Sequence, residues 1–344
     1  MSRNSQTNGM DSIGKQVTLG GHSAVEQPAD VPASEDEAGD LRENDPKASR
    51  RLTRGQITLR RFLRNRTAVV GAIGFFLVAG FAIFGDKIGS WTFTDVDTGA
   101  FLSPPSADHW FGTTQGGRDV FAMVAEGTRK SMLIGVCVAL LQTGIAAVIG
   151  SSAAYFGGWW ERIALWTTDL LLVVPSFLII AIISQRAGAS KGSIALFIIL
   201  LAGFGWMLTA RVVRSLTLSV KDLDYVNAAR FMNVPSPVII VRHIIPNIAS
   251  LLIVDATVNV AYAVLSETTL SYFGFGVQAP NTSLGTLIAE GQRSATTYPW
   301  IFLAPAAVVV IMLVCVNFMG DGLRDAVDRL WRSEERRVGK ECRS

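Results

Sequence analysis

The stretch Leu223–Asn247, LDYVNAARFMNVPSPVIIVRHIIPN, decides how the rest of the chain is read. It is too polar to cross a bilayer, yet apolar runs of membrane-spanning length lie on both sides of it. Its residues predict two short helices with a break between them. Asp222 or Asp224 can cap the first, and Tyr225–Met232 contains no helix breaker. Asn233 stands where that helix should stop, and Asn follows Gly as the residue that accepts a left-handed C-terminal cap. Ser236-Pro237 supplies an N-cap followed by proline at the first helical position. Pro246 closes the second helix. Ala228 and Ala229 are small, so a partner's surface can come close to the first helix.

The flanking runs set the class. Of 344 residues, 49% are hydrophobic and only 17% charged, where a soluble domain carries about 25%. Six spans are predicted, over 67–84, 133–155, 163–184, 193–209, 248–265 and 300–318. Each is close to the roughly 20 residues that cross the hydrocarbon core. The backbone must satisfy its own hydrogen bonds there, so the spans are helices and the fold is an all-α membrane protein. Gly135, Gly144, Gly150, Gly203 and Gly205, with neighbouring alanines, favour close packing of spans two and four.

Charge sets the orientation. Arg50, Arg51, Arg54, Arg60, Arg61, Arg64 and Arg66 precede span one, and Arg324, Arg329 and Arg332 follow span six. The Lys/Arg bias places both termini and the opening stretch in the cytoplasm, while Arg129-Lys130 on the outer side run against the rule. Interspersed Ile57, Leu59, Phe62 and Leu63 make 49–66 a basic juxtamembrane segment for anionic lipid rather than for nucleic acid. Residues 1–48 read as a disordered cytoplasmic tail. Within it Gly9–Lys15 mimics a phosphate-binding loop, but Gln16 stands where Ser or Thr is needed and no strand precedes it. The transmembrane domain covers 67–330. The text of 331–344 fits nothing before it and reads as a cloning or sequencing scar. Cys137, Cys315 and Cys342 form no metal-ligand spacing and read as small buried hydrophobes.

The opening stretch resembles the EAA loop of the membrane subunits of binding-protein-dependent ABC importers. That loop reads Glu-Ala-Ala, three residues, Gly, nine residues, and an apolar segment ending in Leu-Pro. Here Ala228-Ala229 and Ile245-Pro246 match, while Asn227 replaces the Glu and Asn233 the Gly. Arg242-His243-Ile244 and Asn247 are similar to the oligopeptide/dipeptide branch, the peptide/nickel transporter family. The resemblance runs from about Arg60 to about Asp328. His109-Trp110-Phe111-Gly112-Thr113 with Gly117-Arg118-Asp119 resembles the family's outer segment, and Tyr155–Trp160 its turn between spans two and three. Glu267–Gly285 matches a further family segment through Glu267, Leu270–Gln278 and Pro280, and departs from it at a Trp position, where Leu284-Gly285 stands; Gly320–Asp325 matches the C-terminal end.

The resemblance implies a multi-pass permease of the cell membrane, one half of a path for peptides, with no catalytic residue and no cofactor of its own. ATP and Mg would sit on two partner ATPase subunits, reached through Asn227, Ala228, Ala229, Asn233 and Pro246. A sister permease and an extracytoplasmic peptide-binding protein complete the set, and nickel or another small solute is the alternative cargo. Tyr272, Phe273, Gly274 and Gln278 form the candidate outer gate or binding-protein contact. A lone His109 beside Trp110 reads as an interfacial packing residue rather than a metal ligand. Asp169, ahead of the helix-bending Pro175, and Asp255 are the pathway candidates; a proton-coupled carrier built on them is the rival of a different class. An intramembrane hydrolase lacks a constellation, since the only histidines are His22, His109 and His243.

Overall fold

A computed structural model describes residues 59–60, 62–187, 194–278 and 281–341, with side chains as far as Val327. The expected tail 1–48 and most of the basic segment lie outside the described residues, as do Pro280 and Cys342. The described chain is helical, with only an isolated bridge between Thr113 and Asp119. Its helices are α1 (Arg66–Ile88), α2 (Val120–Phe156), α3 (Gly158–Val173), α4 (Ser176–Ala187), α5 (Ile194–Val220), α6 (Asp224–Phe231), α7 (Ser236–Ile239), α8 (Ile245–Tyr272), α9 (Leu284–Gln292) and α10 (Pro299–Glu341). A π-helical turn, Ile240–Ile244, joins α7 to α8.

Five stretches are long and apolar enough to cross a membrane: α1, α2, α5, the run from α7 through α8, and α10. The expected third span is a sixth only if α3 and α4 count together, because a 78° bend separates them. Pro175 explains the bend. It lacks an N–H and pushes the residue before it out of the helical region, and Val174 is extended at φ −81°, ψ 126°. The other spans outrun their apolar windows. α2 starts at Val120 rather than Leu133, since the Asp119 carboxylate accepts the Ala122 N–H at 2.8 Å and caps the helix there. α5 continues past Thr209 to Val220 because nothing in between breaks it.

Helix α2 is central, packed by α5, α8 and α1. One core cluster joins Val124, Val264, Leu284 and Met312; a second joins Ile134, Val138, Phe197 and Leu201. The expected glycine packing holds in part. A Cβ on Gly150 would meet the Ala210 carbonyl at 2.5 Å, and Gly135 and Gly205 are equally crowded, whereas Gly144 and Gly203 face open space. Cys315 is buried and Cys137 half-buried.

The bundle has two ends. Gly85 of α1 lies against Ala125, near the start of α2, so the two helices are antiparallel. Asn65, just before α1, donates to Asp325 of α10 at 3.3 Å. The beginning of α1, the end of α2, the α6–α7 loop and the Asp325 turn of α10 therefore share one end. The segment 89–119, the end of α8 and all of α9 share the other.

Candidate functional site

The site expected from sequence is the loop 222–247. Helix α6 starts at Asp224 with Leu223 as N-cap and no side-chain cap bond, so neither Asp222 nor Asp224 caps it as expected. The Asn227 amide instead donates to the Asp222 carbonyl at 3.0 Å. The stop is as expected. Asn233 has φ +55°, its N–H donates to the Arg230 carbonyl at 3.0 Å, and the Val234 N–H donates to Ala229 at 3.1 Å. These two bonds are the Schellman closure of a helix end.

Beyond it, Pro235 rather than Ser236 is the N-cap of α7, and Pro237 sits in its first turn. Pro246 does not close that helix. The chain passes through the π-helical turn into α8, and the Ile245 N–H reaches back five residues to the Ile240 carbonyl. A proline cannot supply the next i→i−4 bond, and the wider turn absorbs the mismatch.

The faces of α6 differ sharply. Val226 and Ala229 are fully buried against Ile239, Ile240 and Ile244. Ala229 is thus small to let α6 settle on the chain's own π turn, not on a partner as the sequence suggested. Ala228 is exposed and Asn227 half-buried. Phe231 is 89% exposed and Met232 71%. The Arg230 guanidinium lies 4.8 Å over the Tyr155 ring and ties α6 to the end of α2. Such a cation–π contact contributes about 0.5–1 kcal/mol where exposed. Trp159 and Trp160, just beyond, are exposed.

At the opposite end, α8 stops at Tyr272 with the same closure. Gly274 has φ +81°; its N–H donates to Ser271 at 3.0 Å and the Phe275 N–H to Leu270 at 2.8 Å. Phe273 is 58% exposed and meets Phe177 edge-on at 5.8 Å. The Tyr272 hydroxyl bonds Gln292 of α9, and the Gln278 amide turns back to the Gly274 carbonyl at 3.4 Å.

Beneath this turn lies the first residue of the matching segment, to which the sequence assigned no role. Glu267 is wholly buried. Ser131 and Ser271 each donate to its carboxylate at 2.7 Å. In turn Ser271 Oγ accepts the Val277 N–H at 3.1 Å, and Ser131 Oγ accepts the Leu284 N–H at 3.3 Å. One carboxylate so orients two hydroxyls that hold the backbone at Val277 and at Leu284. α9 follows with a capping box between Ser283 and Thr286. A Cβ on Gly285 would meet Ser271 Cβ at 2.8 Å, so only glycine lets α9 lie this close. The available signal was an acid inside an apolar run flanked by Ser266, Thr268, Thr269 and Ser271.

His109 corrects another expectation. It is buried, not interfacial: Nδ1 is 2.9 Å from Asp119 Oδ1 and Nε2 is 3.4 Å from Asp97 Oδ2. Its ring stacks on Trp91 at 5.1 Å, whereas Trp110 is exposed and packs on Phe121. The Gly99 N–H, at 2.8 Å from Oδ1, and then His109 hold the Asp97 carboxyl below the usual range. Among the described residues no group of three His, Cys, Asp or Glu side chains is arranged to hold a metal.

The two pathway candidates are not brought together. Asp169 pairs with Arg211 of α5, with the side chains 62% and 42% exposed. Asp255 accepts from Asn259 of its own helix at 2.8 Å, and Asn259 also donates to Thr209 at 3.1 Å.

A bundle of apolar helices, a polar loop at one end and a broken third span define a multi-pass membrane protein of the permease type. Residues 146–333 match the family described as binding-protein-dependent transport system inner membrane component, and the chain belongs to that family. It is thus a permease subunit of the ABC importer class, located in the plasma membrane. Residues 53–105 match the N-terminal TM domain of oligopeptide transport permease C. Among individual proteins, the chain is 50% identical over 286 residues to the oligopeptide transport system permease protein OppC of Mycobacterium tuberculosis, covering 83% of this chain and 98% of that one. It is 36% identical over 268 residues to the OppC protein of Bacillus subtilis, covering 78% and 87%. The Escherichia coli OppC protein is 35% identical over 271 residues, covering 78% and 89%.

Proposed function

We propose that this chain carries oligopeptides inward as one of two permease subunits, with a sister permease enclosing the other half of the path. Two ATPase subunits would hold ATP and Mg, and a peptide-binding protein would deliver cargo from outside. The chain itself would break no covalent bond and bind no cofactor. The loop end faces the cytoplasm in this reading, as the arginines around it require.

The observation that carries the proposal is the two-faced helix α6. Its inner face is locked into the bundle, while Phe231 and Met232 stand in solvent beside Ala228. Exposed large apolar side chains at a fixed position mark a docking surface. An ATPase groove closing on α6 would move a rigid loop, and the π turn would pass that movement directly into α8. A packed bundle converts such a shift into alternating openings. Phe273, Tyr272, Gly274 and Gln278 then form the surface that meets the binding protein, on a turn held by Glu267. Oligopeptide cargo is favoured over nickel or another small solute by the relatives' printed function.

The test replaces Phe231 with Asp in the assembled complex. ATPase copurification and ATP-driven peptide uptake should both be lost, while the permease pair stays intact. Uptake at the unsubstituted level would overturn the proposal.

A further inference from the structure

Among the described residues, helix α8 leaves a surface partly uncovered, and one arc of that surface, bordered by the exposed Leu265, is polar. Asp255, Asn259, Tyr262, Ser266 and Thr269 follow one another at spacings of four, three, four and three. At 100° per residue they fall within an arc of about 80° and extend over about 21 Å. No apolar side chain between 255 and 269 lies in that arc. Tyr262 is 63% exposed, Ser266 and Thr269 are exposed, and Asp255 and Asn259 are half-buried at the α5 seam. The uncovered face of α1 is the contrast, with Val70, Ile73, Phe76, Leu77, Ile83 and Phe84.

From this geometry we infer that the Asp255–Thr269 face of α8 is a wall of the aqueous path and contacts the main chain of the passing peptide; the peptide part rests on the function proposed above. Lipid does not suit this face, because an acid inside a span faces water or the bundle interior. A tyrosine at the lipid boundary belongs at headgroup level, not in the middle of a helix. A tight helix–helix seam does not suit it either. Such seams are built on small residues, and Tyr262, near the middle of the arc, is large and 63% exposed; Asn259 lies at the arc's edge, where it bonds Thr209 of α5. Hydroxyl and carboxamide groups both donate and accept hydrogen bonds. They therefore match peptide N–H and C=O groups whatever the cargo's side chains, and the arc contains no basic residue to hold a peptide's carboxylate too firmly.

The experiment uses the full complex in membrane vesicles, with Cys137, Cys315 and Cys342 replaced by Ser. Single substitutions Tyr262→Cys, Ser266→Cys and Thr269→Cys on α8 are compared with Ile73→Cys and Leu77→Cys on α1. A charged, membrane-impermeant methanethiosulfonate is added during ATP turnover, with and without a mixture of alanine oligopeptides. The α8 thiols should react about tenfold faster than the α1 thiols, since thiolates form poorly in apolar surroundings. The peptides should slow them. Equally slow reaction on both helices would overturn the inference and show the face sealed by lipid or by the sister subunit. Fast reaction untouched by peptide would overturn the peptide contact. Uptake of the same peptides by the unsubstituted complex is measured separately. Uptake alongside unreactive α8 thiols refutes only the wall, and no uptake alongside reactive ones refutes only the cargo.

Discussion

The two ends of the bundle are held by different physics. At the loop end α6 rests on apolar contact: Val226, Ala229, Ile239 and Ile244 are 0–1% exposed, and no side chain caps α6 or α7. At the opposite end the segments 97–119 and 267–286 are stitched by buried hydrogen bonds through Asp119, His109, Glu267 and two serines. Apolar contact is non-directional and lets one surface slide over another. A satisfied polar network specifies one geometry and is costly to leave half-made. The loop end is packed, and the opposite end is bonded.

Four substitutions, three of them set beside a comparison variant, break or sharpen that contrast. Glu267→Ala leaves Ser131 and Ser271 without their acceptor and opens a cavity, which should cost about 3 kcal/mol or more. Thermal unfolding of the purified complex measures it, and Glu267→Gln, which keeps one acceptor, should lose less. Ala229→Leu overfills a fully buried position and should cost ~1–3 kcal/mol. Proteolysis within 230–236 should accelerate, whereas Ala228→Leu, on the exposed side, should leave that rate unchanged.

Asn233→Val should cost ~1–2 kcal/mol for the left-handed backbone, while Asn233→Gly should match or slightly exceed the native residue in the same assay. The smallest effect belongs to Asp97. Its folded carboxyl is held low, so its contribution is complete above the unfolded value of about 3.9 and is lost as pH falls through the lower folded value. Asp97→Asn should therefore leave the pH slope of hydrogen exchange in 97–119 unchanged at neutral pH, and the loss of protection expected below about pH 4 should flatten in that variant.

The fold was legible wherever one local signal settles the outcome. Apolar length placed the spans, Pro175 placed the break, and Asn233 placed the end of α6. Helix ends outside the apolar windows were not legible, because Asp119 caps α2 through a bond that window counting does not see. Side-chain orientation was legible least. Ala228 and Ala229 are adjacent and chemically identical, and only the turn at Asn233 together with the π turn decides which one faces inward. Glu267 and His109 depended on partners far away in sequence, Ser131 and Asp97 among them, that no local pattern announces.

The π-helical turn before Pro246 sets a phase. It inserts one residue between the loop and the last twenty-odd residues of α8, and each residue in a helix is worth about 100° of rotation. Winding 240–244 as ordinary α-helix with no residue removed would swing everything beyond it by about that angle relative to α6. The loop would still dock, but Asp255 and Tyr262 would rotate off their present bearing, toward neighbouring helices. The five residues of the π turn thus set the bearing of Asp255 and Tyr262 relative to α6.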